Sequence, residues 1–234
     1  MQTNGVHITW LGHATFKIVT PGGKVVLIDP WVSSNPRCPE ELKTFDKVDL
    51  MLVSHGHFDH VADAVDIAKA TKPTVAAIVE LAGWLGSKGV ENTIGFNKGG
   101  TINVDGIKVS MTHAIHTSSV EDALYAGDAV GFVIEFENGF KLYHAGDTCA
   151  FSDMAIIGEL YQPDVAMLPI GDFYTMGPRE AAIAVRMLGV KHVIPMHYGT
   201  FPALIGTPAA LSEALQSLGL RDVEVVAIKP GQTI

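Results

Sequence analysis

The stretch Ser54-His55-Gly56-His57-Phe58-Asp59-His60 sets three imidazoles and a carboxylate within six consecutive residues. Imidazole nitrogen and carboxylate oxygen are the usual ligands of Zn²⁺ and its first-row neighbours. A His-x-His step in extended chain aims both rings to one side, so His55 and His57 face one position and Asp59 and His60 a second. The residues before it, Val48 to Val53, are mostly apolar and β-branched or long aliphatic, the pattern of a buried strand that delivers the cluster to a sheet edge. After it, Val61, Val65 and Ala68 recur at i, i+4 and i+7, which predicts a helix. Strand, ligand loop and helix form a rigid mount for a site. Histidine runs also occur as tags or solvated loops, but those gather near termini, and this one is internal and includes Asp59.

Working outward, hydrophobic residues at 47% and charged residues at only 18% exclude a disordered chain and favour a well-buried sheet. The 234 residues suit one domain spanning 1–234, able to bury its core without staples. A net charge of −9, with no local basic patch, argues against nucleic acid as a partner and leaves a small-molecule substrate. Cys38 and Cys149 are too few for a disulfide framework and too separated for a Cys-x-x-Cys site, so reduced thiols and a cytoplasmic location are expected. Met1 to Trp10 has no charged leader ahead of an apolar stretch, and no run approaches the ~20 apolar residues of a membrane span. A homo-oligomer stays open.

Along the chain, Val6 to Trp10, Ala14 to Thr20 and Lys24 to Asp29 read as three strands, the last two joined at Pro21-Gly22-Gly23. Gly12 permits a sharp bend at which His13 sits. Asp29 ends a buried strand, and as metal-bound histidines usually give their second N–H to a carboxylate or carbonyl, it is a candidate orienter of the His55 loop. Ser33 to Lys43 reads as an exposed loop near the site mouth. A strand at Thr74 to Val79 and a helix around Glu80 to Lys88 precede turn-rich 95–106. Strand Ile107 to Thr112 runs into His113-Ala114-Ile115-His116, where two histidines compete, since residues three apart on a strand face opposite sides. Val130 to Phe136 and Phe140 to Tyr143 form a hairpin leading to His144-Ala145-Gly146-Asp147-Thr148. Strand Asp164 to Pro169 precedes a loop whose Tyr174, Thr175 and Met176 are candidate substrate contacts, then a helix with Ala181, Val185 and Leu188 on one face. Strand Lys191 to Pro195 ends at His197, and a helix from Pro208 to Leu218 and a strand from Val223 to Ile228 close the chain.

The arrangement His-x-His-x-Asp-His resembles the signature of the metallo-β-lactamase superfamily. Trp10-Leu11-Gly12-His13-Ala14-Thr15 is similar to a segment of the branch containing N-acylethanolamine-type phospholipase D, the bacterial ascorbate-6-phosphate lactonase and small metal-dependent hydrolases. The resemblance spans nearly the whole chain through five motifs in order. It implies an α/β fold, the four-layer αββα sandwich, with two divalent metal ions at one sheet edge between the halves, zinc first and manganese or iron as alternatives. Carried over residue by residue, it gives His55, His57 and His116 to one metal and Asp59, His60 and His197 to the other, with Asp147 bridging. His116 is selected over His113 because relatives place the ligand just before small hydroxyl residues, and Cys149 is taken as non-ligating. Asp59 would also orient the nucleophile, while His13 or His144 would carry protons to the leaving group.

The function expected is hydrolysis by a hydroxide formed from a water made acidic by two cations, acting on a small phosphodiester, lactone or other ester. Two alternatives from other classes remain at this point, a mononuclear iron thiol oxygenase using His55 and His57, and a non-catalytic metal-binding module.

Overall fold

The computed structural model describes residues 1–234. Six strands form the first sheet in sequence order, β1 (His7–Gly12), β2 (Thr15–Val19), β3 (Val25–Ile28), β4 (Leu50–Leu52), β5 (Thr74–Ile78) and β6 (Thr93–Phe96). Helices α1 (Phe58–Val61) and α2 (Ala64–Thr71) follow β4, and α3 (Val79–Ser87) follows β5. The second sheet contains β7 (Thr101–Val104) and β8 (Ile107–His113), and a small separate ladder, β9 (Ser119–Val120) with β10 (Leu124–Tyr125), comes next in the chain. The second sheet continues with β11 (Val130–Glu135), β12 (Lys141–His144), β13 (Val165–Pro169), β14 (His192–Met196) and β15 (Glu224–Val225), in the order β15-β14-β13-β12-β11-β8-β7. Helices α4 (Met154–Tyr161), α5 (Pro178–Leu188) and α6 (Pro208–Ser217) connect its parallel strands.

Both sheets follow one plan. From β1 to β3 the pairing is antiparallel and from β3 to β6 parallel; from β8 through β11 to β12 it is antiparallel and from β12 to β15 parallel. Parallel pairs need crossover helices, which place α2 and α3 on the first sheet and α4 to α6 on the second. Side chains alternate accordingly. Phe132, Ile134, Leu142, Met167 and Ile194 join the first-sheet residues in the core between the sheets, whereas Val133, Tyr143, Ala166, Leu168 and Val193 pack under α4, α5 and α6. The result is the αββα sandwich.

In several places the sequence pattern and the fold part company. The helix expected through Val61, Val65 and Ala68 is broken between α1 and α2, because Asp63 is held from outside: its N–H donates to Pro30 O, and its carboxylate accepts the N–H groups of Val32 and Ser33. Turn-rich 95–106 contains all of β7 and the end of β6, edge strands with half-exposed alternation. Helix α4 gave no clear signal since Ile156 and Leu160 are exposed and blur its apolar stripe. The last strand shrinks to Glu224–Val225, and the chain end returns to the first sheet instead, where Ile8 and Ile234 exchange both backbone hydrogen bonds and cover the edge of β1.

Gly158 on α4 marks the closest helix approach, since a Cβ there would lie 2.4 Å from the carbonyl oxygen of Leu188 at the end of α5. Gly to Ala inside a helix ordinarily gains about 1 kcal/mol. Here Gly158→Ala is expected to lose about 1–3 kcal/mol through overpacking, read as a lower urea midpoint. A raised midpoint would show that α4 and α5 do not meet this closely.

Candidate metal centre

Every residue of interest lies at one end of the sandwich. β1, β3 and β4 run in one direction in the first sheet, as do β8, β12, β13 and β14 in the second, and His13, Asp29, Ser54–His60, His116, Asp147 and His197 all follow their C-terminal ends. Open α/β sheets bind ligands at that edge.

The donors converge on Asp147. Its Oδ2 lies 3.0 Å from His197 Nε2, 3.3 Å from His60 Nε2, 3.6 Å from His116 Nε2 and 3.9 Å from His55 Nε2. Two outer donor sets flank this centre. His55, His57 and His116 form one, and His13, Asp59, His60 and His197 the other, while His55, His60 and Asp147 sit between them. The structure thus brings His55, His57 and His116 together on one side and Asp59, His60 and His197 on the other, with His13 beside the second group. Gly56 separates the two histidines of the first set because a Cβ would meet the Ser119 carbonyl oxygen at 2.8 Å and Val120 at 2.9 Å.

Asp29, fully buried at the end of β3, orients the loop. It accepts the Ser54 N–H at 2.7 Å, the Ser54 hydroxyl at 2.6 Å and the His60 Nδ1–H at 2.8 Å. With its proton committed to Asp29, the Ser54 hydroxyl oxygen accepts Nδ1–H of His55 at 3.0 Å. In both imidazoles Nδ1 is thereby fixed as the donor to this network, and Nε2 is the nitrogen turned toward Asp147. A third histidine is fixed similarly: His13 Nε2–H donates to Asp59 Oδ2 at 3.0 Å, and the Thr200 hydroxyl donates to His13 Nδ1 at 3.0 Å.

His60 Nε2, His197 Nε2 and Asp147 Oδ1 are buried and make no well-directed hydrogen bond, the two nitrogens lying close to Asp147 Oδ2 without the alignment of one. Unsatisfied buried polar atoms cost about 1–3 kcal/mol each. Three of them converging within a cluster of imidazole and carboxylate donors fit a divalent cation.

Electrostatics point the same way. Burial lowers His55 well below the ordinary imidazole value and lowers His57 and His116 as well, so these three are neutral and ready to donate at pH 7. His13 is pushed down to about 4 by burial and by neighbouring His197. For His60, burial opposes the charge, but the carboxylates of Asp147 and Asp29 outweigh it and raise the pKa well above 6.5. Burial likewise opposes ionisation of Asp147 and Asp59, yet His197 and His60 hold the first below the usual carboxylate range, and the hydrogen bond from His13 does so for the second.

Other expected residues are placed differently. His144 stays clear of the cavity: its Nε2–H donates to Ala14 O at 3.2 Å and its Nδ1 accepts the Gly146 N–H at 3.2 Å, so both ring nitrogens pin backbone and neither reaches a leaving group. His113 is exposed and packs edge-on against Phe151. Tyr174 borders the cavity of about 1160 Å³ beside the donors, but Met176 is buried in the second core and the Ser33–Lys43 loop does not line that cavity. Thr200, Phe58, Trp84 and Phe201 were not singled out by sequence; an apolar Phe58 between two ligand-type residues was the one local signal.

Paired sheets with a buried His/Asp cluster at their shared edge define the class of metal-dependent hydrolases with the metallo-β-lactamase fold. The family model for the beta-lactamase superfamily domain matches residues 24–198, which include every candidate donor except His13. A UPF0173 metal-dependent hydrolase of Rubrobacter xylanophilus is 53% identical, with 98% of this chain and 96% of the relative aligned. One from Koribacter versatilis is 52% identical over 100% of this chain and 99% of its own length. Among solved structures, a metallo hydrolase of the hyperthermophilic archaeon Ignicoccus hospitalis superposes with a TM-score of 0.86 at 37% identity, covering 98% of this chain and 97% of that one. The chain belongs to the beta-lactamase superfamily, among its UPF0173 metal-dependent hydrolases. A non-catalytic metal-binding module is thereby set aside. No helix is long and apolar enough to cross a membrane.

Two outcomes test the centre. Asp29→Asn keeps the shape but weakens the hold on His60 and Ser54, and should lower metal affinity about 10–100-fold in competition with a chromophoric chelator. Metal loading at pH 7 should release a proton from His60, whose raised pKa keeps it charged until a cation replaces that proton, and none from the neutral His55, His57 and His116. Calorimetry in buffers of different ionisation enthalpy reads this directly; loading without proton release would refute the His60 assignment.

Proposed function

We propose that two divalent cations bind here, one to His55, His57 and His116 and one to Asp59, His60 and His197, with Asp147 between them, and that the protein hydrolyses a small phosphodiester, lactone or other ester. The observation that carries this reading is the set of unsatisfied atoms His60 Nε2, His197 Nε2 and Asp147 Oδ1, which lie where the two donor sets meet. Nitrogen and oxygen donors without thiolate suit zinc, with manganese or iron as alternatives. Cations bound there lower the pKa of water from ~15.7 toward ~7 and polarise the attacked carbonyl or phosphoryl oxygen.

The chain's own part is positioning. Asp29 and Ser54 fix the rings of His55 and His60, and Asp59, steadied by His13, presents a carboxylate oxygen at the cavity wall where it orients the attacking water. His13 is a positioning residue for Asp59, since it is fully buried and does not line the cavity. The whole span 1–234 acts as one domain in this reading, with reduced Cys38 and Cys149 suiting a cytoplasmic enzyme. The iron oxygenase would leave the second donor set idle, which its burial and convergence disfavour.

Protein purified from a cytoplasm should carry about two zinc or manganese per chain by mass spectrometry. His116→Ala should reduce that toward one, and His60→Ala or Asp147→Ala should abolish ester or phosphodiester turnover by at least about a hundredfold with the circular dichroism spectrum retained. One iron per chain with no hydrolysis would favour the oxygenase.

A further inference from the structure

Beyond the donors, the cavity has a wall of consistent character. Phe58 and Val61 line it from α1, Val65 from the first turn of α2 and Trp84 from α3, so four apolar side chains from three helices share one cavity. Phe58 is 62% exposed although it stands directly between His57 and Asp59. Val65 and Trp84 are half-buried, packed against the core on one side and bordering the cavity on the other.

Charge in the same cavity is spoken for. Apart from candidate metal donors, the charged lining residues are Asp66, Glu121 and Lys88. Lys88 is the one basic side chain, and its ammonium is 2.8 Å from Glu121 Oε2 and 5.3 Å from the Trp84 ring centre. A phosphate or carboxylate carried on the far end of a substrate would meet two acidic groups and an already paired lysine. An anion there faces like charges at a rim where the one lysine is already paired, which is unfavourable.

We infer that this wall binds the non-reacting part of the substrate, and that this part is an uncharged apolar chain or ring lying along Phe58, Val61, Val65 and Trp84. The inference rests on the hydrolytic reading above and narrows it: a phosphorylated sugar lactone is excluded, and esters or phosphodiesters with a hydrophobic substituent are selected. Phe58 covers the chain next to the reacting bond, and Trp84 terminates the wall.

Binding is measured first, without chemistry, by titrating n-alkanols from butanol to decanol into the metal-loaded protein. Affinity should rise about three- to fourfold per methylene while the chain lies on the wall. Trp84→Ala should flatten that dependence, and Val65→Ser serves the same end should the first variant fold poorly. The kinetic counterpart uses 4-nitrophenyl esters from acetyl to decanoyl, where kcat/KM should climb in parallel, and an ester ending in a free carboxylate should fall at least about tenfold below its uncharged equivalent. Alkanol affinity independent of chain length, or a charged tail preferred over a neutral one, overturns the inference. Alkanol affinity that climbs while no ester turns over supports the apolar wall and instead overturns the ester chemistry of the functional reading.

Discussion

A single buried carboxylate organises the centre. Asp29 donates its backbone N–H to Leu52 O on β4, and its carbonyl oxygen accepts the Thr15 hydroxyl, so it is anchored to strands on both sides before its side chain does anything. The carboxylate then gathers Ser54 and His60, and through Ser54 reaches His55. Fixing two donors, His55 and His60, from one carboxylate lets residues only five apart in sequence present their rings to the same centre. Remove that carboxylate and His60 keeps its burial but loses the reason for its orientation.

The repeated plan of the two sheets explains why a second aspartate stands opposite. Asp29 follows β3, the last antiparallel member of the first sheet, and Asp147 follows β12, the corresponding strand of the second. The fold thus offers the same position twice, once used to orient histidines and once to face them. Asp147 is further tied to the loop of His116, because the Thr148 hydroxyl accepts the Ile115 N–H and Cys149 N–H donates to Ile115 O. Burying this many imidazoles and carboxylates together without a cation is unfavourable, since charge removed from water must be compensated locally. Sandwich, strand ends and donor chemistry are in that sense one constraint.

The sequence was most legible where spacing is short. Ser54 to His60 carries its own geometry, since strand and loop periodicities place neighbours predictably, and the apolar runs of β4, β5, β13 and β14 marked buried strands. His116, Asp147 and His197 were identifiable through resemblance alone, because contacts across dozens of residues leave no local pattern: His197 meets Asp147 only once β12 and β14 are set on either side of β13. The surroundings of His144 are hidden in the sequence for the same reason. A histidine beside a metal-ligand motif suggests proton transfer, but its ring is consumed by two backbone groups, one of them at Ala14 in the β1–β2 turn of the opposite sheet. Thr200 had no signal of its own; a hydroxyl three residues past His197 becomes meaningful only when His13 is found against it.

Backbone conformation supplies the last link between sequence and site. His13, Asp29 and His197 have φ of 57°, 48° and 54°, a left-handed region where glycine is the easier choice. His and Asp are among the residues that tolerate it best, at a cost of order 1 kcal/mol each. All three turn the chain sharply as a strand ends, and the turn points the side chain back over the sheet edge rather than along it. His197 N–H donates to His13 O at 2.9 Å, so two of these strained positions brace each other across the sheets. Glycine would relieve the strain and forfeit the side chain, which is why strain is retained where a donor or its orienting partner is required.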